Sequence, residues 1–259
     1  MKTKDRKLLV PEREKLILDL LSEKVKTLPE LSESLGVSSA TVRRDLISLE
    51  EQGRIHRVHG GAVRARLSKG EPIFDEKANL KMEEKNRIAE LALGFIENSD
   101  TVYLDGGSTI LRLAKLLSKK GNISVTVITN SLMAAAEFME SPHRLILVGG
   151  EFRAISRTIV GVLTANTINS LHIDKAFLGT IGFSLQDGIS TTDPNEAYTK
   201  ELIMKRSGKN ILMADSSKLC LQSLATSGKL EDINTLITDS GISPNMLKEL
   251  KKKKIEVIY

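Results

Sequence analysis

The chain has 259 residues, a formal net charge of +5 and 41% hydrophobic residues, which is ordinary for a soluble globular protein of one or two domains. Aromatic residues make up 3%, with no Trp, which argues against recognition through stacked aromatic side chains; one cysteine, Cys220, excludes an internal disulfide and a multi-cysteine zinc site. No apolar run reaches membrane-spanning length and the polar start lacks a signal-peptide pattern, so we expect a cytoplasmic protein without a membrane partner.

The positive charge is concentrated at the start of the chain. Residues 1–66 hold 14 basic and 10 acidic residues, which accounts for +4 of the net +5. This excess favours an anionic partner, and nucleic acid is the first candidate. A solvated surface with a small surplus of Lys and Arg explains the charge alone equally well.

The N-terminal segment predicts three short helices. The first has an apolar stripe of Leu16, Ile17, Leu20 and Leu21. Thr27 and Glu30 have the spacing of a capping box at the start of a second helix, which Gly36 ends. Ser38 is the predicted N-cap of a third helix, residues 39–52. Three short helices with a tight glycine turn before the last are typical of a helix-turn-helix.

The third helix has two distinct faces. Val42, Leu46 and Leu49 fall on one side and should face the core, whereas Arg44 points away from them. Arginine can hydrogen-bond guanine O6 and N7 bidentately. Two adjacent arginines alone are more often surface solubilisers, but on this helix they favour DNA contact. The residues predicted to contact DNA here are Ser38, Ser39, Thr41, Arg43 and Arg44.

Residues 54–63 predict a strand and a hairpin turn at Gly60-Gly61, together the wing of a winged helix. Arg57, His59 and Gly60 are placed to contact phosphates or a minor groove. A plain turn is the simpler alternative. Neither histidine of the segment has a partner at metal-ligand spacing, so we predict no metal site and no cofactor.

The remaining sequence predicts an α/β domain. Residues 1–64 form the predicted DNA-binding head, residues 65–73 a linker, and residues 74–259 a second domain that starts with a long helix to about Glu97. Predicted strands are 101–104, 124–129, 144–148, 174–179, 210–214, 235–238 and 255–259. Predicted helices are 110–118, 132–140, 158–169, 195–206 and 244–252. The alternation predicts a Rossmann-like, mostly parallel sheet covered on both faces.

Polar or glycine-rich residues follow five of these strands, at the edge where such sheets bind ligands. The segment from Asp105 to Thr109, with Gly106 and Gly107 before a helix, suits a phosphate, because glycines and a helix N-terminus present backbone N–H groups. Asp105 and Asn130 would bind hydroxyls, and Lys218 would be a counter-charge. The predicted effector-binding residues are Asp105, Gly106, Gly107, Ser108, Thr109, Thr129, Asn130, Ser131, Gly149, Gly150 and Lys218.

Ordered segments along most of the chain resemble DeoR-type transcriptional regulators. They are 37–46, 57–62, 104–109, 128–131, 148–150, 174–179, Glu196-Ala197 with Lys200, and 215–218. The resemblance implies a winged helix-turn-helix that binds a double-stranded DNA operator, usually as a repressor. It also implies a sensor domain similar in fold to ribose-5-phosphate isomerase and coenzyme A transferases, a phosphorylated sugar effector that releases DNA, and a homo-oligomer, dimer or tetramer.

The resemblance adds Glu196 to the predicted effector site. It also shows a departure, since Leu219-Cys220 stand where members often have an aromatic residue and Gly after the Ser-Lys pair. That departure bears on the shape of the pocket around Lys218.

Two functions compete on these observations, and a third has little support. The first is a ligand-responsive repressor of a carbohydrate operon. The alternative is a sugar-phosphate isomerase or transferase, which needs a carboxylate base from among Asp105, Asp193 and Glu196. The acid-rich catalytic segment of the isomerase is missing, so we predict no enzyme and no catalytic residue. A nucleotide-binding or structural module is disfavoured because neither nucleotide-binding glycine fingerprint is present.

Overall fold

The computed structural model describes residues 10–21, 26–51, 55–58, 61–64, 71 and 73–259. The chain forms two compact units, residues 1–67 and 68–259. Within these described ranges, no helix is both long and apolar enough to cross a lipid bilayer.

The first unit contains three helices and a small antiparallel sheet. Its elements are α1 (Val10–Leu20), β1 (Lys26–Thr27), α2 (Leu28–Leu35), α3 (Ser39–Glu51), β2 (Ile55–Val58) and β3 (Gly61–Arg64). The strand order is β1-β3-β2, with β2 and β3 paired as a hairpin. Buried side chains of the three helices and β2 form a separate core, led by Ile17, Leu31, Leu46 and Ile55. This is the arrangement of a winged helix-turn-helix, as the sequence predicts.

Local capping explains where the helices of the first unit begin and end. The side chains of Thr27 and Glu30 form the predicted capping box at the start of α2, and Gly36 ends that helix at φ 63°. The Ser38 hydroxyl accepts a hydrogen bond from the Thr41 N–H at 3.3 Å, which confirms the predicted N-cap of α3.

The apolar stripe of α1 differs from the predicted one. Ile17, Leu18 and Leu21 are buried, whereas Leu16 is 40% exposed. The buried face of the helix is therefore centred between Ile17 and Leu21, and Leu16 lies beyond its edge.

The second unit is built on a seven-stranded sheet. Its elements are α4 (Phe74–Asn79), α5 (Met82–Leu93), β4 (Thr101–Leu104), α6 (Ser108–Leu117), β5 (Thr126–Thr129), α7 (Leu132–Ala136), β6 (Arg144–Leu147), β7 (Glu151–Arg153), β8 (Thr158–Val160), α8 (Val162–Asn169), β9 (Ile173–Leu178), β10 (Gly182–Ser184), β11 (Gly188–Thr191), α9 (Pro194–Arg206), β12 (Ser207–Met213), β13 (Ala225–Gly228), β14 (Thr235–Ile237), α10 (Pro244–Lys252) and β15 (Glu256–Ile258). The sheet order is β15-β14-β12-β9-β4-β5-β6, and every pair in it is parallel.

Both faces of the central strands are covered, which explains why β4 and β5 are mostly apolar, whereas the edge strand β6 is partly exposed. Side chains alternate between two cores: Tyr103 belongs to one, and its neighbours Val102 and Leu104 belong to the other. The chain builds β4, β5 and β6 outward in one direction and then returns to place β9 on the other side of β4. The point where the order reverses lies between β4 and β9, and sheets of this kind bind ligands there.

Three predictions for this unit need correction. The long helix predicted from Phe74 to Glu97 is two helices, α4 and α5, separated by Lys81 in the left-handed conformation at φ 55°. Residues 158–160 of a predicted helix form strand β8 instead. The short strands β7, β10, β11 and β13 are absent from the prediction because each has three or four residues, too few to show a clear period.

Candidate functional site

Helix α3 presents the predicted DNA-contacting residues on its solvent side. Arg43, Arg44, Ser38 and Ser39 are exposed, and Thr41 is half-buried. The opposite face of the helix is packed into the core of the first unit. An exposed helix face with two arginines matches the geometry by which a recognition helix contacts base edges in a major groove.

A buried ion pair that the sequence analysis did not identify fixes the position of α3. Arg13 of α1 donates from Nε to Oδ2 of Asp45 at 2.5 Å and from Nη2 to Oδ1 at 2.8 Å. Both residues are at least 90% buried. Asp45 follows Arg44 directly, so the pair holds the turn of α3 that carries the predicted contact residues. The hydrogen bonds that Arg13 donates to Asp45 raise the pKa of Arg13 more than any other contact does.

The hairpin β2–β3 provides the predicted wing. Arg57 lies in β2, where its backbone pairs with Ala62. The side chain of Arg57 lies outside the described part of the structure, and so do residues His59 and Gly60.

The predicted phosphate segment lies where the strand order of the large sheet reverses. We call residues 105–109, between β4 and α6, the glycine loop. Gly107 is the N-cap of α6 at φ 119°, a conformation that favours glycine. A β-carbon on Gly179, just after β9, would lie 2.9 Å from the carbonyl oxygen of Gly106. The ends of β4 and β9 are therefore in close contact at this point.

The glycine loop presents backbone donors in the way an anion site requires. Across the described residues, no backbone carbonyl accepts a hydrogen bond from the N–H groups of Gly107, Ser108 or Thr109. These are the first N–H groups of a ten-residue helix, which carries partial positive charge at this end. The Ser108 hydroxyl donates to the carbonyl oxygen of Lys77 in α4 at 3.2 Å, so α4 lies beside the loop.

Asp105 forms a buried ion pair with Lys200 of α9. The ammonium of Lys200 and the N–H of Gly179, the latter at 3.0 Å, both donate to Oδ2 of Asp105. Asp105 is 5% exposed and Lys200 is 7% exposed. The carboxylate predicted to bind effector hydroxyls thus joins the loop to β9 and α9.

The residues after β5 are buried beside the loop and have mostly internal partners. The Thr129 hydroxyl donates to the carbonyl of Leu104 at 2.6 Å, and the Ser131 hydroxyl caps α7. The Asn130 side-chain amide donates to the carbonyl of Ile159 at 2.8 Å. Its Oδ1 atom is buried and has no hydrogen-bond partner among the described residues, which leaves one acceptor for a polar ligand atom.

Glu196 is connected to the glycine loop through Thr158 of β8. The Thr158 hydroxyl donates to Oε1 of Glu196 at 3.0 Å, and Thr191 donates to its Oε2 at 2.9 Å. A β-carbon on Gly106 would lie 2.2 Å from the Thr158 methyl group, so the two chains meet closely here.

The other predicted residues lie two strands away from β4. Gly149 and Gly150 follow the edge strand β6, and the Gly149 carbonyl accepts a hydrogen bond from the Thr164 hydroxyl at 2.9 Å. Lys218 follows β12, in a short 3-10 turn of residues 216–218. The structure therefore links Glu196 to the glycine loop through Thr158, and among the described residues it gives no such link for Lys218 or the two glycines.

A second lysine, Lys85, interacts electrostatically with Lys218. Lys85 of α5 is 4% exposed, and burial lowers its pKa to about 8. Asp215 opposes this shift, whereas the positive charges of Lys218 and Arg112 add to it. Lys85 donates to the carbonyls at the end of α4, including that of Lys77.

The departure at Leu219-Cys220 has a structural consequence. Leu219 is buried in the core. Cys220 has φ 67° and donates from its N–H to the carbonyl of Phe183 at 2.8 Å. The chain thus places a β-carbon at a left-handed position that glycine adopts without strain.

A cluster of ion pairs that the sequence analysis did not identify lies next to Glu196. Arg153 of β7 binds Glu71 at 2.7 Å, Asp193 at 3.3 Å and Glu196 at 3.3 Å. Lys77 of α4 binds Glu71 at 2.6 Å. No periodicity in the sequence points to these pairs, because they join residues far apart in the chain. Glu71 falls within the predicted linker, yet its side chain is 3% exposed.

Comparisons with known proteins give the same two-part division. The DeoR-like helix-turn-helix domain matches residues 13–66, and the DeoR C terminal sensor domain matches residues 80–240. The HTH-type transcriptional regulator GolR of Listeria innocua is 38% identical over 93% of this chain and 94% of its own length. The lactose phosphotransferase system repressor of Staphylococcus epidermidis is 34% identical over 88% of each chain.

Solved structures of enzymes are more distant. Ribose 5-phosphate isomerase A of Methanocaldococcus jannaschii has a TM-score of 0.41 and 15% identity, over 53% of this chain and 54% of the isomerase chain.

Proposed function

Because the chain belongs to the DeoR family of DNA-binding transcriptional regulators, we propose that it represses a carbohydrate operon and that a phosphorylated sugar releases it from the operator. The observation that carries the proposal is the glycine loop at the N-terminus of α6, at the point where the strand order reverses. The lactose phosphotransferase system repressor, a relative named for control of a sugar system, supports the choice of a sugar.

In this proposal the glycine loop binds the phosphate. Gly106, Gly107, Ser108 and Thr109 supply N–H donors, and the partial positive charge of α6 stabilises the dianion. Lys85 interacts electrostatically with Lys218 and with Arg112, and in this proposal the three add positive charge to the site.

The sugar would lie among the polar groups that surround the loop. Asn130 offers its unpartnered oxygen to a hydroxyl hydrogen. We assign Glu196 and Ser131 to the same ligand site, together with Gly149 and Gly150. Asp105 and Thr129 act on the ligand by holding the loop in place, since their side chains are already hydrogen-bonded inside the protein.

On the DNA side, α3 is the recognition helix. Arg43 and Arg44 contact base edges or phosphates, while Ser38, Ser39 and Thr41 bind the backbone near the start of the helix. In the wing, Arg57, His59 and Gly60 contact the phosphates that flank the groove. A homo-oligomer, dimer or tetramer, would place two heads on two half-sites.

We propose no catalytic role for the carboxylates at the edge. Asp105 is paired with Lys200, and both Asp193 and Glu196 are paired with Arg153. A general base for sugar isomerisation needs a carboxylate that can approach a substrate carbon. The relatives reported above are transcriptional regulators, which fits this view.

The effector half of the proposal is tested with an operator duplex selected from random DNA by the full-length protein. Fluorescence anisotropy follows release of this duplex as phosphorylated sugars are added, with the unphosphorylated sugars as controls. We expect a phosphorylated sugar to weaken DNA binding about 5–150-fold. If no phosphorylated sugar shifts either DNA affinity or the melting temperature, the effector proposal is wrong.

The DNA half is tested with Arg44→Ala. Loss of a bidentate base contact should cost about 1–3 kcal/mol on the selected operator and much less on random DNA. Arg87→Ala is the matched control, because Arg87 is an exposed arginine of α5 in the second unit. Equal losses of Arg44→Ala on operator and random DNA would remove Arg44 from base recognition.

A further inference from the structure

The carboxylate of Glu71 occupies a site that is built for an anion. It accepts hydrogen bonds from Arg153 Nη2 at 2.7 Å, Lys77 Nζ at 2.6 Å and the Thr192 hydroxyl at 2.6 Å. Burial by itself would raise the pKa of Glu71, but these three donors outweigh burial and leave the pKa below its ordinary value. Glu71 is therefore an ion at neutral pH, held by two cations and a hydroxyl.

The two cations that hold Glu71 are not equivalent. Arg153 also binds Asp193 and Glu196, so it would remain paired if Glu71 left. Lys77 has Glu71 as its ion-pair partner, and its side chain is 12% exposed. Loss of Glu71 would leave the Lys77 ammonium as the cation in need of a new anion, because a nearly buried charge is costly without a partner.

Lys77 also contacts the glycine loop. Its backbone carbonyl accepts the hydrogen bond from the Ser108 hydroxyl at 3.2 Å, and Ser108 is the first residue of α6. The same residue thus contacts the loop through its backbone and Glu71 through its side chain. The side chain of Lys77 therefore begins one hydrogen bond away from the proposed phosphate site.

We propose that Glu71 is an internal competitor for the effector phosphate: the phosphate takes the Lys77 ammonium, and Glu71 is released. This inference rests on the proposed function of the glycine loop as a phosphate site. It adds a regulatory role, because Glu71 is the first described residue after β3 of the head, and only residues 65–70 separate the two in sequence. Release of Glu71 removes its contacts with Lys77, Arg153 and Thr192, which hold the start of the second unit close in sequence to the head.

The test measures binding of inorganic phosphate to the full-length protein by isothermal titration calorimetry. Glu71→Gln keeps the shape of the side chain but removes its charge, so it should bind phosphate at least about fivefold more tightly than the wild type, the lower limit of a typical coupling between sites. Thr192→Val removes one donor to the same carboxylate and should shift affinity in the same direction by less. Glu201→Gln, which removes an exposed carboxylate paired with Lys205, is the control and should leave affinity unchanged.

A double variant identifies the cation. Lys77→Met should abolish the gain that Glu71→Gln produces, because the released ammonium is then absent. The proposal is overturned if Glu71→Gln binds phosphate no more tightly than the wild type, or if the gain persists in the Lys77→Met background. Operator release by phosphorylated sugars, measured on the wild type, tests the proposed function separately and can succeed where the competition fails.

Discussion

Breaking the Arg13–Asp45 pair from one side should strongly destabilise the DNA-binding head. Asp45→Ala removes a carboxylate that is 5% exposed and leaves the Arg13 guanidinium, which is 9% exposed, without its bidentate partner. Breaking a buried ion pair from one side costs about 3–5 kcal/mol. We expect the lower end, about 3 kcal/mol, because the head is small and little protein surrounds the pair.

A loss of that size is large for this unit. A domain of this length is stable by about 3–10 kcal/mol, and each kcal/mol moves its melting temperature by about 4–8 °C. Asp45→Ala should therefore lower the melting temperature of the head by about 12–24 °C. Calorimetry of the full-length protein measures this, with the transition of the head identified by its upward shift when operator DNA is added.

Two comparisons make the test decisive. Glu33→Ala removes an exposed carboxylate from α2 and should change stability by less than about 0.5 kcal/mol. The double variant Arg13→Met with Asp45→Leu replaces the pair by apolar side chains and should recover most of the loss. If Asp45→Ala lowers the melting temperature of the head no more than Glu33→Ala does, leaving Arg13 without Asp45 has no large cost and the prediction is wrong.

Two further predictions concern the second unit. Gly106→Ala would place a β-carbon 2.2 Å from the Thr158 methyl group, so it should reduce the response to a phosphorylated sugar at least tenfold in anisotropy titrations, while operator affinity without the sugar stays unchanged. The control Gly121→Ala, with open space around its β-carbon, should respond normally, and an equal response of both variants would contradict the proposed phosphate site. Lys85 has a pKa of about 8 in the folded protein and an ordinary value of 10.5, so the unfolded chain binds more protons between these pH values, and stability gains up to about 1.4 kcal/mol per pH unit there. Urea unfolding from pH 8 to 10.5 should show that the free energy of unfolding rises less steeply with pH in Lys85→Met than in the wild type. Parallel curves for the two proteins would disprove the lowered pKa of Lys85.

The sequence predicts the main sheet well, for a physical reason. All seven of its strands correspond to predicted strands, because each contains a short apolar run, and such runs are visible without a structure. The hairpin β7–β8 is not predicted, since Thr158 and its neighbours are too few to show a period. The break at Lys81 is equally invisible, because the chain there has no Gly or Pro to end a helix.

The candidate site likewise has a part that the sequence reveals and a part that only the structure reveals. The glycine loop is visible in the sequence because its chemistry is local: a strand, two glycines and a helix start within a few residues. The contacts of Lys200 with Asp105 and of Arg153 with Glu71 depend on which loops the fold brings together. The partners of these two pairs are 95 and 82 positions apart, so they leave no pattern in a single sequence, and only the three-dimensional arrangement reveals them.

The anion site around Glu71 draws on residues from distant parts of the chain, since Glu71 and Thr192 are 121 positions apart. The head, by contrast, needs only the first 64 residues for its core and its recognition helix. During synthesis the head is therefore complete well before the ribosome has made the residues proposed to bind the effector. Under the proposed function, a chain terminated before α9 would retain the helix proposed to bind the operator but lack the residues proposed to bind the effector, so in a cell it would repress without responding to the sugar.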